Sequence, residues 1–139
     1  MENQFQLPGR IFFADDDEDD RDLLEDVLEV LYPKVIVKGF KDGLELLNEL
    51  MVPIDELPKI IFLDLNMPRL NGIEFLTEIR KSEMLKSISI VILTTSSSPI
   101  DLMRCQNLGV HKFLTKPNSY QKWLELIKST VSELFKAKS

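Results

Sequence analysis

The chain has 139 residues, 44% hydrophobic and 29% charged, with a net charge of −6; this is one domain's length, and the composition excludes a disordered chain. No apolar run approaches the roughly 20 residues that span a bilayer, and the start, MENQFQLPGR, shows neither the basic nor the apolar part of a secretory signal. The single cysteine, Cys105, excludes an internal disulfide and a multi-cysteine zinc site, so the expected location is the cytoplasm.

Ile11-Phe12-Phe13-Ala14 is a short apolar run ending in carboxylates, the pattern of a buried strand. From about residue 18 to 31, Leu23, Leu24, Val27, Leu28 and Leu31 fall on one helical stripe, which Pro33 stops. Val35-Ile36-Val37 is a second, β-branched strand. Asp42-Gly43 opens a second helix carrying Leu44, Leu47, Leu50 and Met51. Val52 to Pro58, with two prolines, is a loop. Lys59 to Leu63 is a third buried strand. The loop Asn66 to Gly72 leads into a third helix bearing Ile73, Leu76 and Ile79. Ile88 to Leu93 is a fourth strand, left through the polar segment Thr94 to Pro99. Pro99 suits the first turn of a fourth helix, which runs to about Leu108 and ends at Gly109. His111 to Leu114 is a fifth strand. The last helix starts near Ser119 and shows Trp123, Leu124, Ile127, Val131 and Leu134 on one face. Residues 1–9 read as a short tail, residues 10–136 as one domain and residues 137–139 as a C-terminal tail.

Five strands alternating with five helices imply an α/β fold, a parallel sheet with helices on both faces. In such sheets the functional site lies beyond the carboxyl ends of the strands. The charge is concentrated near one of those ends: residues 15–29 hold ten acids and one base. An acidic total argues against nonspecific nucleic-acid binding. The local acid points to a cation site or a solvated acidic helix.

The strand ends carry the informative residues. The first strand ends in Asp15-Asp16, the third in Asp64, the fourth in Thr94 and the fifth in Lys116. This architecture brings all of them to one edge. Carboxylates that close repel one another, and a hard divalent cation such as magnesium stabilises them while keeping waters for exchange with phosphate oxygens. A lysine and a threonine hydroxyl at the same edge suit phosphoryl oxygens. A carboxylate beside the metal is the group best able to accept a phosphoryl. The set has the composition of a phosphoryl-transfer site.

These pieces resemble the receiver domain of bacterial two-component response regulators. The matching segments are Phe12-Phe13-Ala14-Asp15-Asp16-Asp17, Phe62-Leu63-Asp64-Leu65-Asn66-Met67-Pro68-Arg69-Leu70-Asn71-Gly72, Val91-Ile92-Leu93-Thr94-Thr95 and Phe113-Leu114-Thr115-Lys116-Pro117. They stand in family order and cover residues 10 to about 136. The resemblance implies a flavodoxin-like fold with strand order 2-1-3-4-5. It implies that Asp64 is the phosphoacceptor and that Asp15 and Asp16 are the acid pair. Magnesium would be held by Asp16, Asp64 and the Asn66 backbone carbonyl, with Asp15 acting mainly through water. Thr94 and Lys116 would bind phosphoryl oxygens. Thr94 and Phe113 would form the switch that alters a surface of helix 4, strand 5 and helix 5, and the Lys116–Pro117 bond would be cis. The implied partners are a sensor histidine kinase and a downstream protein, with no nucleic acid and no membrane. The Val52–Pro58 loop, the acidic stretch and the solitary domain resemble stand-alone receivers paired with phytochrome-like kinases. A monomer or a weak homodimer is expected.

Other readings of the same residues are blander. Asp17, Glu18, Asp19 and Asp20 read as a solvated helix start. Asp15, Asp17, Asp19 and Asp26 have the offsets of a calcium loop, but Asp20 stands where such a loop needs glycine. Asp64 has a structural salt bridge to Lys116 as its alternative role. His111, Cys105 and Trp123 read as packing residues. The competing class is a phosphatase of the haloacid-dehalogenase type, which also uses a strand-end Asp nucleophile. Asp64-Leu65-Asn66 lacks the carboxylate two residues on that such an enzyme uses as general acid. A signalling domain rather than an enzyme is therefore expected.

Overall fold

The computed structural model describes residues 9–52, 56–96 and 98–136. Five strands and five helices alternate: β1 (Arg10–Ala14), α1 (Glu18–Leu31), β2 (Ile36–Phe40), α2 (Gly43–Met51), β3 (Ile60–Leu63), α3 (Gly72–Ile79), β4 (Ser89–Thr94), α4 (Pro99–Asn107), β5 (Lys112–Thr115) and α5 (Tyr120–Lys136). A 3₁₀ turn at Glu83–Leu85, absent from the sequence reading, precedes β4. The strands form one parallel sheet in the order β2-β1-β3-β4-β5. This is the expected flavodoxin-like arrangement. Among the described residues no helix is long and apolar enough to cross a membrane.

Alternation along the strands divides the core into two layers, because successive side chains point to opposite faces. Phe12, Ile61, Leu63, Ile90 and Ile92 pack under α2, α3 and α4, against Leu46, Leu50, Phe75, Leu76, Ile79 and Cys105. Ile11, Phe13, Ile60, Phe62, Val91 and Leu93 pack under α1 and α5, against Leu24, Val27, Leu28, Trp123, Ile127 and Val131. Both faces of β3 and β4 are covered, which is why those strands read as unbroken apolar runs.

Helix starts follow from local chemistry. Asp17, Asp42, Asn71 and Ser98 each accept a backbone N–H of the first turn of the helix that follows. At Asn71 the cap is reciprocal, since Glu74 also accepts the Asn71 N–H. Gly109 adopts a φ of 78° after α4, the left-handed backbone that favours glycine.

Three readings of the sequence are corrected. Strand β2 runs Ile36–Phe40 rather than Val35–Val37, and as the edge strand it is mostly exposed. Its Gly39 lies against the Phe13 ring, where a Cβ would sit 2.6 Å from that ring. Helix α2 buries Gly43, Leu46 and Leu50, whereas Met51 is exposed. Leu44, Leu46 and Leu47 lie so close together that they offer two possible stripes, and the sheet selects the one through Leu46. His111 precedes β5 and is exposed rather than packed within it. It caps the edge of β4 instead, its N–H donating to the Ile90 carbonyl and its Nδ1 accepting the Ile90 N–H. The Cys105 and Trp123 packing positions are buried as expected. Residues 1–8, 53–55 and 137–139, which include most of both tails and the centre of the Val52–Pro58 loop, lie outside the described residues.

Candidate functional site

Register explains how distant residues meet. Ala14 pairs with Leu63, so the next residues, Asp15 and Asp64, emerge side by side, and the Asp64 N–H donates to the Ala14 carbonyl at 3.0 Å. Thr94 pairs with Thr115, which places Lys116 one step beyond the sheet, its N–H on the Thr94 carbonyl at 2.9 Å. Ligand oxygens of Asp15, Asp16 and Asp64 lie within 4.8 Å of one another. Asp15 and Asp64 are buried and Asp16 is exposed, so the group opens to water on one side.

Lys116 sits among these carboxylates. Its Nζ lies 2.7 Å from Asp15 Oδ2, 2.8 Å from Asp20 Oδ2 and 3.2 Å from Asp64 Oδ2. The side chain is only 7% exposed. Burial alone would lower the ammonium's pKa, but the bonds to Asp15 and Asp20 outweigh it and hold the group above the ordinary lysine range. Burial pushes Asp15 up to about 6, against the opposing bonds from Lys116 and the Asp17 N–H. The Arg21 guanidinium donates to the Asp15 carbonyl at 2.8 Å and fixes the strand end from α1.

The loop after β3 is held from outside the site. The Asn66 N–H points to Asp64 Oδ1 at 3.4 Å, and Asn66 itself is exposed. Arg69 has a φ of 66° and bonds the buried Asp42 carboxylate at 2.7 Å, while the Gly43 N–H donates to the Leu70 carbonyl. Gly72 is required by proximity: a Cβ there would lie 2.7 Å from the Asp64 carbonyl. The sequence reading assigned no partner to Asp42 or Arg69, which lie 27 positions apart.

Among the described residues neither switch candidate joins the charged cluster through its side chain. Thr94 is buried, and its hydroxyl accepts the Ser96 N–H at 3.2 Å. Among the described residues its hydroxyl makes no hydrogen bond to Asp64 or Lys116. Phe113 is half-buried and packs on the layer that contains Cys105. No peptide bond among the described residues is cis, so Lys116–Pro117 is trans and not cis as expected. The trans form is intrinsically favoured by about 0.5–1 kcal/mol, and Lys116 reaches its three carboxylates with it.

Asp20 is a further correction. Its sequence context suggests a solvated helix start, yet it bonds Lys116 directly. A signal was present: Asp20 stands four residues before Leu24 and seven before Val27, both buried, and so continues the inward stripe of α1. Burial pushes the Cys105 thiol up to about 11, with Asp101 adding to the effect, so this cysteine is a packing residue and not a reactive one.

The donor set fits a hard divalent cation. The three clustered side chains are all carboxylates, and the exposed Asp16 leaves room for metal-bound waters.

Comparison with known proteins agrees with this geometry. Residues 11–128 match the family model described as the response regulator receiver domain. The chain is 29% identical over 136 residues to response regulator Rcp1 of Synechocystis, covering 95% of this chain and 92% of Rcp1. It is 42% identical over 78 residues to the probable methanogenesis regulatory protein FilR2 of Methanothrix harundinacea. That match covers 56% of this chain and only 48% of FilR2, so the chain spans about half of that relative's length. The crystal structure of the phosphorylated cyanobacterial phytochrome response regulator RcpA superposes with a TM-score of 0.83 at 27% identity, covering 94% of this chain and 96% of RcpA. A family model spanning most of the chain, on a fold with three carboxylates and a lysine at its strand ends, places this chain in the response regulator receiver domain family of two-component signalling.

Proposed function

We propose that this receiver domain, residues 10–136, accepts a phosphoryl group on Asp64 from a histidine kinase in a magnesium-dependent reaction and passes the signal on as a changed binding surface. The observation that carries the reading is the single lysine held against Asp64 beside two further carboxylates. Rcp1 has been crystallised with Mn(2+), and RcpA in a phosphorylated form, which supports both parts of the proposal.

In this reading an Asp64 carboxylate oxygen attacks the phosphorus of a phosphohistidine. The new P–O bond forms as the P–N bond breaks, and the imidazole leaves with the electron pair. Asp16, Asp64 and the Asn66 carbonyl would hold magnesium, which supplies charge neutralisation for the transferred group. Lys116 donates an N–H to a phosphoryl oxygen, and Asp15 adds negative charge on the metal side. Thr94 turns from Ser96 to a phosphoryl oxygen, and Phe113 fills the space that this movement leaves. The changed surface comprises α4, β5 and α5. The domain works as a cytoplasmic signalling module, as a monomer or a weak homodimer, with a protein as its target. It turns over no substrate beyond slow loss of its own phosphoryl group.

Mass spectrometry after treatment with a small phosphodonor and magnesium tests the proposal. The expected modification is one phosphoryl group on Asp64, and modification of a different residue would reject it. Sustained turnover of small phosphate esters would favour the hydrolase class instead.

The raised Asp15 group gives a pH prediction. Below about pH 6 the folded, metal-free protein holds a proton on Asp15 that a bound cation must displace. Magnesium affinity is therefore expected to rise from about pH 5 to pH 7 and then level off. Between its ordinary value of 3.8 and about 6, Asp15 is protonated only in the folded state. The metal-free protein should accordingly lose stability as pH rises through that window. Calorimetric titrations at several pH values check the first trend, and urea midpoints without metal check the second. A flat profile in both would show that Asp15 does not titrate there.

A further inference from the structure

Lys116 has an anchor that is neither the phosphoacceptor nor part of the clustered carboxylates. Building on the phosphoacceptor reading above, we propose that Asp20 is a positioning residue that aims one N–H of Lys116 at the phosphoryl group carried by Asp64. A lysine ammonium has three N–H donors in a tetrahedral arrangement and no acceptor. Here one donates to Asp20 at 2.8 Å, while Nζ also makes a 2.7 Å ion pair with Asp15. The Nζ hydrogen bond to Asp64 Oδ2 is the longer one, at 3.2 Å.

One bond alone would leave the ammonium free to swing on its flexible four-carbon stem. Two fix its direction. Asp15 directly follows β1 and Asp20 lies in the first turn of α1, so the two anchors approach from different directions. Asp20 is itself held in place. Its N–H donates to the Asp17 cap at 3.1 Å, and its position continues the stripe that buries Leu24 and Val27. It lies outside the three carboxylates whose ligand atoms cluster within 4.8 Å. A phosphoryl group on Asp64 brings oxygens that carry more negative charge than the present carboxylate. One of them takes over the N–H now on Asp64 while the contacts to Asp20 and Asp15 stay in place.

The proposal has a sign that separates it from a simple field effect. Asp20 carries negative charge near an anion site, so its field alone opposes phosphoryl binding, and removing it would tighten that binding. Aiming predicts the opposite. The full chain with Asp20→Asn should bind beryllium trifluoride, at saturating magnesium, about tenfold more weakly than the wild type, the lower end of what a charge-assisted hydrogen bond contributes. Magnesium affinity, measured with the cation alone, should change by less than about threefold, because Asp20 is not a ligand. The Lys116 ammonium protons should give a resolved NMR signal in the metal-free wild type and lose it in Asp20→Asn. Unchanged or tighter beryllium trifluoride binding overturns the proposal. So does an equal loss of magnesium affinity, which would make Asp20 part of the cation site, or an ammonium signal that survives the substitution. A wild type that takes up no beryllium trifluoride would reject the phosphoacceptor reading. The ammonium signal, read without metal, then still decides whether Asp20 anchors the lysine.

Discussion

Asp64→Asn is expected to abolish labelling by a small phosphodonor while the folded protein remains as stable as the wild type or becomes more so. The first half follows from chemistry: an amide oxygen is too weak a nucleophile to replace a carboxylate held beside a cation. The second half follows from the charge balance. One ammonium faces Asp15, Asp20 and Asp64, and the Asp64 bond is the longest at 3.2 Å. Removing that charge relieves repulsion among the carboxylates and leaves Lys116 its two short bonds. Labelling by mass spectrometry and a urea melt without metal check both halves. Residual labelling at wild-type speed, or a loss of more than about 2 kcal/mol of stability, would contradict this balance.

Lys116→Met is expected to be the most destabilising change at the site. The methionine fills similar space, but Asp15, Asp20 and Asp64 lose their shared counter-charge. Removing one partner of a buried ion pair usually costs about 3–5 kcal/mol, and the partly open Asp20 lowers this to about 2–4 kcal/mol here. A cation bound to the folded state alone restores stability by mass action. Saturating magnesium should therefore recover the larger part of the loss, far more than it adds to the wild type. Urea denaturation of both proteins, with and without magnesium, reads this directly. A variant as stable as the wild type in metal-free buffer would show that the carboxylates need no lysine.

The fold was legible where periodicity and burial agree. β3 and β4, covered on both faces, read as plain apolar runs, and the α1 and α5 stripes match their buried faces closely. The edge strand β2 was harder, because Lys38 and Gly39 interrupt its pattern on an exposed edge. The strand-end residues were legible because the architecture sends strand ends to one edge, whatever their distance in sequence. Partners off the strands were not. Asp42 caps α2 in the usual way, and nothing local marks its bond to Arg69. Asp20 looks like its acidic neighbours, and its partner lies 96 positions away. Only its helical phase sets it apart.

Helix α4 differs from its neighbours in how little it is fastened. Of its nine residues only Cys105 is buried, and Ile100, Leu102 and Met103 face outward. The helix is tied mainly at its ends: Ser98 caps the start, and Arg80 reaches from the end of α3 to the carbonyls of Leu108 and Gly109. Local opening of such a segment costs far less than unfolding the whole domain, since roughly one small side chain of apolar surface, about 1–2 kcal/mol, holds its middle. Its backbone amides should be the first helical ones to exchange with deuterium, well ahead of those in α1 and α5. A rearrangement that began at Thr94, as proposed, would thus run into a helix whose displacement is cheap, and the rest of the sheet could stay rigid while it moved.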